Sequence, residues 1–596
     1  MVFKPKEIAK QKNLKCMLII LLVLILVIVV ILCFVLTPFS SSIILEDDDR
    51  RWVYPDPVVA RGAVASNGGP CAAIGQKIMK KYGNAVDSAI ATMLCDGLTC
   101  PNAMGVGGGF IATIYLKNES KATTIIARET APAASTANMF ADNFTLSKRG
   151  ALAVAVPGEI KGYWEMYKKY GGKAPWKELF VDAIKMCEEG IPVSKPLAGY
   201  IMNNRDGILR IPGLRKRLEN DRGELAEAGD IIKLPSLART LRIIAEEGAD
   251  AFYNGSLTAG LVKDIQDNGG IITKEDLNSY KVRWEEPVHV QLSSGINFYS
   301  VGPPASGQLL GFMLRVLNNT LKSDMDKLTN ISIITETFKH AFAMRSHFGD
   351  PYFTNISEVL EKINDQAFID EIKLQILSNQ THNDPADYGA NYYNHEDMGT
   401  GNIALIAPNG DAVAATSTIN TLFGSWFVSE STGILMNNQM DDFSTPGLVN
   451  SFGVYPSDTN FIEPGKRPQS SMCPSILVDQ NGDVCLVVGA AGGTKITTST
   501  ALTIIRNIWH HESIVEAVEG ARFHHQLMPM NWYYEPSMSK DVVLGMEARG
   551  HNATLIGHSG VVTAVTRNGE IFGAASDMRR PGNTSYLLLP CTCTVG

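Results

Sequence analysis

Basic residues are not in excess here. Lysine and arginine number 53 against 61 acids, a net charge of −8. No broad basic face follows, so nucleic acid is not an expected partner. Cysteine and histidine never recur at zinc-ligand spacing, and neither a metal nor a cofactor is expected. No Pro/Ser-rich linker, low-complexity tract or internal repeat divides the 596 residues. Length alone would allow about four domains at ~150 residues each. Met104–Phe110 and Gly489–Lys495 are glycine-rich, yet both lack the residue order of a phosphate loop. The first reads as tight turning or close backbone packing.

What is present is apolar: 45% of residues are hydrophobic, enough for a large core. The N-terminus is distinctive. Residues 1–15 carry Lys4, Lys6, Lys10, Lys12 and Lys15 against Glu7 alone, a short cytoplasmic tail. Residues 16–36 follow, 21 in a row without a charge, long enough to span a bilayer as a helix. Lysines before and Glu46-Asp47-Asp48-Asp49 after predict a single-pass type II anchor, with residues 37–54 as a polar stalk and the body outside the plasma membrane. Nine Asn-x-Ser/Thr sequons fit a secreted route: Asn118, Asn143, Asn254, Asn318, Asn330, Asn355, Asn379, Asn552 and Asn583. Some of these are expected in buried segments.

Helical patterns alternate with short apolar runs over residues 150–400, including an amphipathic helix that Pro157-Gly158-Glu159-Ile160 opens and that runs to Tyr170, and another from Thr335 to Phe348. After 400 the pattern changes to strands. Asn409-Gly410, Asn481-Gly482 and Asn568-Gly569 each sit between apolar runs, predicting three hairpins with φ > 0 at both turn residues. Packed antiparallel sheets plus helices follow, an α+β class.

The first hairpin is the focus. Thr400 opens its first strand after Gly399, and Thr416-Ser417-Thr418-Ile419-Asn420 ends the second. A threonine hydroxyl is a poor nucleophile without a base, and a free α-amine on the same residue can be that base. Such an amine titrates near about 7.7–8.0. An internal threonine gains one only if the chain is cut before it. The expected chemistry is self-cleavage at Gly399-Thr400, with glycine leaving room for the distorted peptide.

The C-terminal third resembles the γ-glutamyltransferase (glutathione hydrolase) family of N-terminal-nucleophile hydrolases. The resemblance rests on Thr416–Asn420, Gly433–Phe443, Pro464–Pro468 with Ser470–Pro474, and Gly489–Thr494, and continues upstream through Arg128-Glu129-Thr130-Ala131-Pro132. It covers residues 55–590. It implies a four-layer αββα sandwich, a large subunit (55–399) and a small catalytic subunit (400–596) that together make one domain and one heterodimer. It also supports a Cys71–Cys95 disulfide, while Cys100, Cys187, Cys473 and Cys485 read as small buried residues.

Roles follow from the resemblance. Thr400 is the nucleophile, and Thr418 bonds it and supports maturation. Arg128, Thr418, Asn420, Gln439, Asp442, Ser470 and Ser471 hold the substrate's α-carboxylate and α-amine. Gly492 and Gly493 offer N–H donors to the oxyanion. The implied substrates are glutathione and its γ-glutamyl relatives, with water, an amino acid or a dipeptide as acceptor.

Two departures stand out. Gly401-Asn402 replaces the family's usual Thr/Ser/Ala-His, and a Cys-rich end with Cys591 and Cys593 replaces the usual terminus. The first supports a second reading, a homologue without turnover that acts as a cell-surface binding or adhesion protein. A cephalosporin-acylase-like amidase is a third.

Overall fold

The computed structural model describes residues 58–322, 324–377, 381–390, 399–448 and 456–589. The expected tail, membrane helix and stalk, together with Asn379, Cys591 and Cys593, lie outside the described residues. Among the described residues no helix is long and apolar enough to cross a membrane.

Thirteen strands form the main β structure. In chain order they are β1 (Val58–Ser66), β2 (Gly109–Leu116), β3 (Lys121–Ala127), β4 (Arg283–Glu285), β5 (Val288–Gln291), β6 (Asn297–Ser300), β7 (Gly399–Ile406), β8 (Ala412–Asn420), β9 (Ser475–Val478), β10 (Val484–Ala491), β11 (Val561–Asn568), β12 (Ile571–Ser576) and β13 (Asn583–Leu588). The order is β4-β3-β2-β8-β7-β1-β12-β11-β10-β9-β6-β5, with β13 also on β1. Every pairing along it is antiparallel. β1 is the hinge between two sheets. Val58 and Val59 pair with β12, whereas Ala63–Ala65 pair with β7.

Alternation along the strands sorts side chains into three apolar layers. Ala404 and Ile406 of β7, Ala412 and Ala414 of β8, Ile476 and Val478 of β9 and Val487 of β10 fill the space between the sheets. Ile403, Leu405, Val413 and Ala415 point the other way. They meet helices α1 (Cys71–Tyr82), α2 (Ala85–Thr99) and α3 (Glu159–Tyr170). Leu486, Val488, Val562 and Ala564 meet α4 (Gly307–Leu317), α5 (Lys327–Arg345) and α6 (Lys495–Ile504). Helices, sheet, sheet and helices are therefore stacked in that order, as expected. Sheets buried on both faces need apolar residues at successive positions, which is how β7 and β8 read.

Local details refine the sequence reading. The three Asn-Gly turns have φ > 0 at the glycine only, 86° at Gly410, 76° at Gly482 and 61° at Gly569. Asn409 and Asn481 keep a negative φ, because their loops are wider than two residues and need one left-handed position, whereas Asn568 ends its strand and pairs with Ile571. The Asn409 side chain instead accepts from Asp411 N at 3.2 Å. Helix α5 starts at Lys327 rather than Thr335, and Ile331–Arg345 are buried all round, so it is not amphipathic. Asn84 separates α1 from α2 by capping Asp87 N at 2.8 Å, and Cys71 and Cys95 are joined across this pair. Cys100, Cys187, Cys473 and Cys485 are free and buried. Asn118, Asn143, Asn254, Asn355, Asn552 and Asn583 are exposed, while Asn318 and Asn330 are half-buried. The expectation that some sequons are buried is not met among these, because they fall in turns and at element ends where the backbone meets solvent.

Candidate active site

One end of the first sheet gathers most of the candidate residues. Arg128 follows β3, Asn420 ends β8, Gly399 and Thr400 begin β7, and Asn67 follows β1. Antiparallel neighbours run in opposite directions, so starts and ends alternate along this edge. Thr400 shares its strand face with Asn402, Ala404 and Ile406, the face turned toward the second sheet.

The Thr418 hydroxyl donates to the Gly399 carbonyl oxygen. Asn420 N donates back to Thr418 Oγ1 at 2.8 Å, which orients that hydroxyl. A bulge between Ser417 and Asn420, with Asn420 at φ 76°, makes this approach possible. Thr418 was expected to bond the nucleophile; here its proton is spent on the carbonyl one residue earlier. Gly399 is sterically required, since a Cβ there would lie 2.5 Å from Asn420 O. On the other side of the bond, Arg580 Nη2 donates to Thr400 O at 2.8 Å and to Asn67 Oδ1 at 2.9 Å. Asn402 N donates to the same Asn67 oxygen at 2.8 Å.

Asn402 itself is buried between the sheets. Its amide lies 2.7 Å from Thr416 Oγ1 and 2.5 Å from Thr563 Oγ1. A Cβ on Gly489 of β10 would come within 2.2 Å of it. Asn402 therefore joins the two sheets as a polar bridge, with both neighbours hydroxyls that suit an amide in either orientation.

A second cluster surrounds Arg128, fully buried. Its Nη2 donates to Asp442 Oδ2 and to Gln469 O at 3.2 Å, and its Nε to Pro468 O at 3.5 Å. Gln439 Nε2 donates to the same Asp442 oxygen at 2.6 Å. Gln439 Oε1 and Asn420 Oδ1 are buried acceptors without a hydrogen-bond donor among the described residues. Buried acceptors of this kind are costly unless a donor arrives. Ser470 and Ser471 lie in the loop whose carbonyls hold Arg128. Their hydroxyls accept from Met472 N at 3.2 Å and Arg345 Nη2 at 3.0 Å.

Two buried acids lie behind this edge. Burial raises Glu129 to about 7, with the Arg128 charge 3.9 Å away opposing. Burial raises Glu159 to about 8, opposed by hydrogen bonds from Tyr163 and Ser417 and reinforced by the Glu129 charge. Those bonds are 2.5 Å from Tyr163 and 2.9 Å from Ser417. Burial thus shifts both carboxyls toward the neutral form.

Gly492 and Gly493 follow β10 at φ 126° and 64° and lead into α6. A helix start of this kind favours developing negative charge. No cluster of acids, cysteines and histidines among the described residues could hold a metal.

The structure thus joins Thr400, Gly399, Thr418 and Asn420 directly, and Arg128, Gln439 and Asp442 directly. Sequence reasoning missed Asn67, Arg580 and Glu159. Arg580 lies just after β12, beyond the motifs to which the sequence assigns roles. Nothing local marked Asn67, whose partners are hundreds of residues away, or Glu159, which meets Ser417 258 residues on.

The family model described as Gamma-glutamyltranspeptidase matches residues 71–587. A Scolopendra dehaani protein, Scoloptoxin SSD14, is 40% identical over 530 residues, covering 87% of this chain and 91% of its own. Glutathione hydrolase proenzyme 1 of Schizosaccharomyces pombe is 38% identical over 541 residues, covering 88% and 84%. The solved cephalosporin acylase from Bacillus halodurans matches with a TM-score of 0.78 at 22% identity, covering 91% of this chain and 99% of its own. That likeness is one of fold.

Proposed function

The chain belongs to the gamma-glutamyltranspeptidase family, and from that membership we propose that it cuts itself before Thr400 and then moves γ-glutamyl groups through an acyl-threonine intermediate. It is a γ-glutamyltransferase of the glutathione hydrolase type. The observation that carries the proposal is the Thr418 hydroxyl on the Gly399 carbonyl. A proton donor on that oxygen makes its carbon more electrophilic and stabilises the charge that forms on attack.

In the first reaction the Thr400 hydroxyl adds to the Gly399 carbonyl carbon. The Thr400 nitrogen leaves as an amine, giving an ester between Gly399 and Thr400 Oγ. Water cleaves the ester, leaving a large chain that ends at Gly399 and a small chain that begins at Thr400. Arg580 holds the Thr400 carbonyl throughout, so the strand keeps its place.

In turnover the free amine takes the Thr400 hydroxyl proton as that oxygen attacks the γ-glutamyl amide. Arg128 pairs the substrate α-carboxylate, a task suited to a guanidinium fork. Asp442, Gln439 Oε1 and Asn420 Oδ1 accept from the α-ammonium, which supplies the donor that the buried Gln439 and Asn420 oxygens lack. Ser470 and Ser471 shape the same pocket, and Gly492 and Gly493 face the oxyanion. The amine product departs, and water, an amino acid or a dipeptide takes the acyl group. Ping-pong kinetics are expected. Glutathione and its conjugates are the proposed donors.

We further place residues 16–36 as a type II plasma-membrane anchor with the catalytic domain outside. Six exposed sequons and the Cys71–Cys95 bridge support that side of the membrane. The reading as a binding protein without turnover loses its support. Asn402 occupies a bridge between the sheets instead of an acid–base position.

The test is a denaturing gel of purified protein with N-terminal sequencing. Two fragments, the smaller starting at Thr400, together with release of p-nitroaniline from γ-glutamyl-p-nitroanilide, are expected. A chain that stays whole on prolonged incubation overturns the mechanism.

A further inference from the structure

Helix α5 buries a lysine and a glutamate one turn apart, Lys339 at 0% and Glu336 at 4% exposure. Their charges meet at 3.3 Å. Removing two charges from water is costly, and attraction between them compensates only when the remaining protons and lone pairs are also used. Here they are used on one segment, residues 381–390. Lys339 Nζ donates to Thr381 Oγ1 at 2.6 Å and to His382 O at 2.7 Å. With Glu336 this places all three ammonium protons. Thr381 Oγ1 donates to Glu336 Oε1 at 2.7 Å, and Tyr388 OH to Glu336 Oε2 at 2.6 Å. His382 N donates to Tyr388 OH at 3.1 Å, and Nζ sits 4.4 Å from the Tyr388 ring centre. Asn383 Nδ2 adds a bond to Gly550 O at 3.3 Å.

The segment so held is otherwise a surface ribbon. His382, Asn383, Asp384, Ala386, Asp387 and Gly389 are exposed. Only Tyr388 and Ala390 of the segment join the apolar cluster that holds α5, a small docking area for ten residues. The Glu336–Lys339 pair is therefore devoted to a stretch that is docked largely by polar contacts. Its place in the chain gives the reason. Ala390 precedes Gly399 by nine residues, and an extended chain of that length reaches at most about 30 Å. Beyond it, Gly399 is held again by Thr418 and by its pairing with Asn420.

We propose that Glu336 and Lys339 form a positioning clamp for self-cleavage, fixing the Thr381–Ala390 ribbon so that the Gly399 carbonyl is presented to Thr400 and Thr418. After the cut the same clamp anchors the new end of the large chain. The inference rests on the self-cleavage reading above. Small misplacements of reacting groups cost up to about 10²-fold in rate. Loss of the clamp is thus expected to slow the cut without touching turnover.

Lys339→Met would leave Glu336 buried and unpaired, and failure to fold would obscure the result. Thr381→Val and Tyr388→Phe loosen the ribbon and leave the ion pair in place. Thr381 also completes the sequon at Asn379, so Asn379→Gln is the control for a glycan effect, and Thr381→Ser keeps the hydroxyl. Full-length chains are followed by pulse-chase on denaturing gels. Thr381→Val and Tyr388→Phe should lengthen the half-life of the uncut chain tenfold or more. Thr381→Ser and Asn379→Gln should match wild type. Per cut chain, kcat and KM for γ-glutamyl-p-nitroanilide should be unchanged in all four. Cutting of Thr381→Val and Tyr388→Phe at the wild-type rate overturns the clamp. So does an equal slowing in Asn379→Gln, or a lowered kcat in the cut fraction, which would mark a general structural role. A wild-type chain that never cuts removes the parent reading and this one with it.

Discussion

Thr418 and Arg128 sit at the same sheet edge and are expected to fail in different ways when changed. Thr418→Ala removes the donor on the scissile carbonyl and should slow self-cleavage by about 10²-fold, the usual scale for one such donor. Thr418→Ser keeps a hydroxyl and should be cut close to the wild-type rate; a gel time course reads both. Arg128→Lys keeps the charge but loses the fork that spans Asp442, Gln469 and Pro468. It should be cut normally, yet lose about 10²-fold in kcat/KM with γ-glutamyl-p-nitroanilide, the scale of a broken buried charge pair. Equal loss in both reactions would contradict the separation of the two clusters.

Between elements, Asn402 and Gly489 hold β7 and β10 at a fixed spacing. Gly489→Ala should lower stability by about 1–3 kcal/mol, as overpacking in a closed core does. Asn402→Ala vacates the space that the new methyl needs, though it strands the hydroxyls of Thr416 and Thr563. Denaturant melts of the two single variants and the double variant should show a favourable coupling between the changes. Purely additive losses would mean that the strands can shift apart, and the bridge would then have no structural weight.

For the molecule as a whole, two consequences follow from the sheet and its buried acids. Beyond the proposed cut, Thr400–Ile406 of β7 and all of β8 lie between β2 and β1, which precede it. The two fragments should therefore co-elute on gel filtration under native conditions and separate only in denaturant. Glu159 gives a pH test. The fold holds it protonated up to about 8, whereas an unfolded glutamate titrates near about 4.3. Between these values the folded chain binds the extra proton, so this group's contribution to stability falls as pH rises and is lost above its folded value. Relative to wild type, Glu159→Gln should gain stability from pH 5 to pH 8 in urea melts. The difference between the two chains isolates this group from histidines such as His524 and His551, which titrate in the opposite sense as pH falls. A difference that does not change with pH would show that Glu159 is ionised in the fold.

Alternating apolar residues around Asn409-Gly410 were enough to place the β7–β8 hairpin, and the ordered motifs from Arg128 to Gly493 were enough to identify the family. Both signals are local: strand period, turn residues and motif order are written over a few residues each. Position in three dimensions decided the rest. Thr418 reaches the Gly399 carbonyl because a bulge shifts β8, and no pattern in Thr416–Asn420 encodes that shift. Asn402 is a cross-sheet bridge only because Gly489 and Thr563 come from strands far along the chain. Arg580 and Asn67 meet at Thr400 although 513 residues separate them. Hydrogen bonds and close contacts of that kind depend on distance in space, which a sequence read alone does not contain.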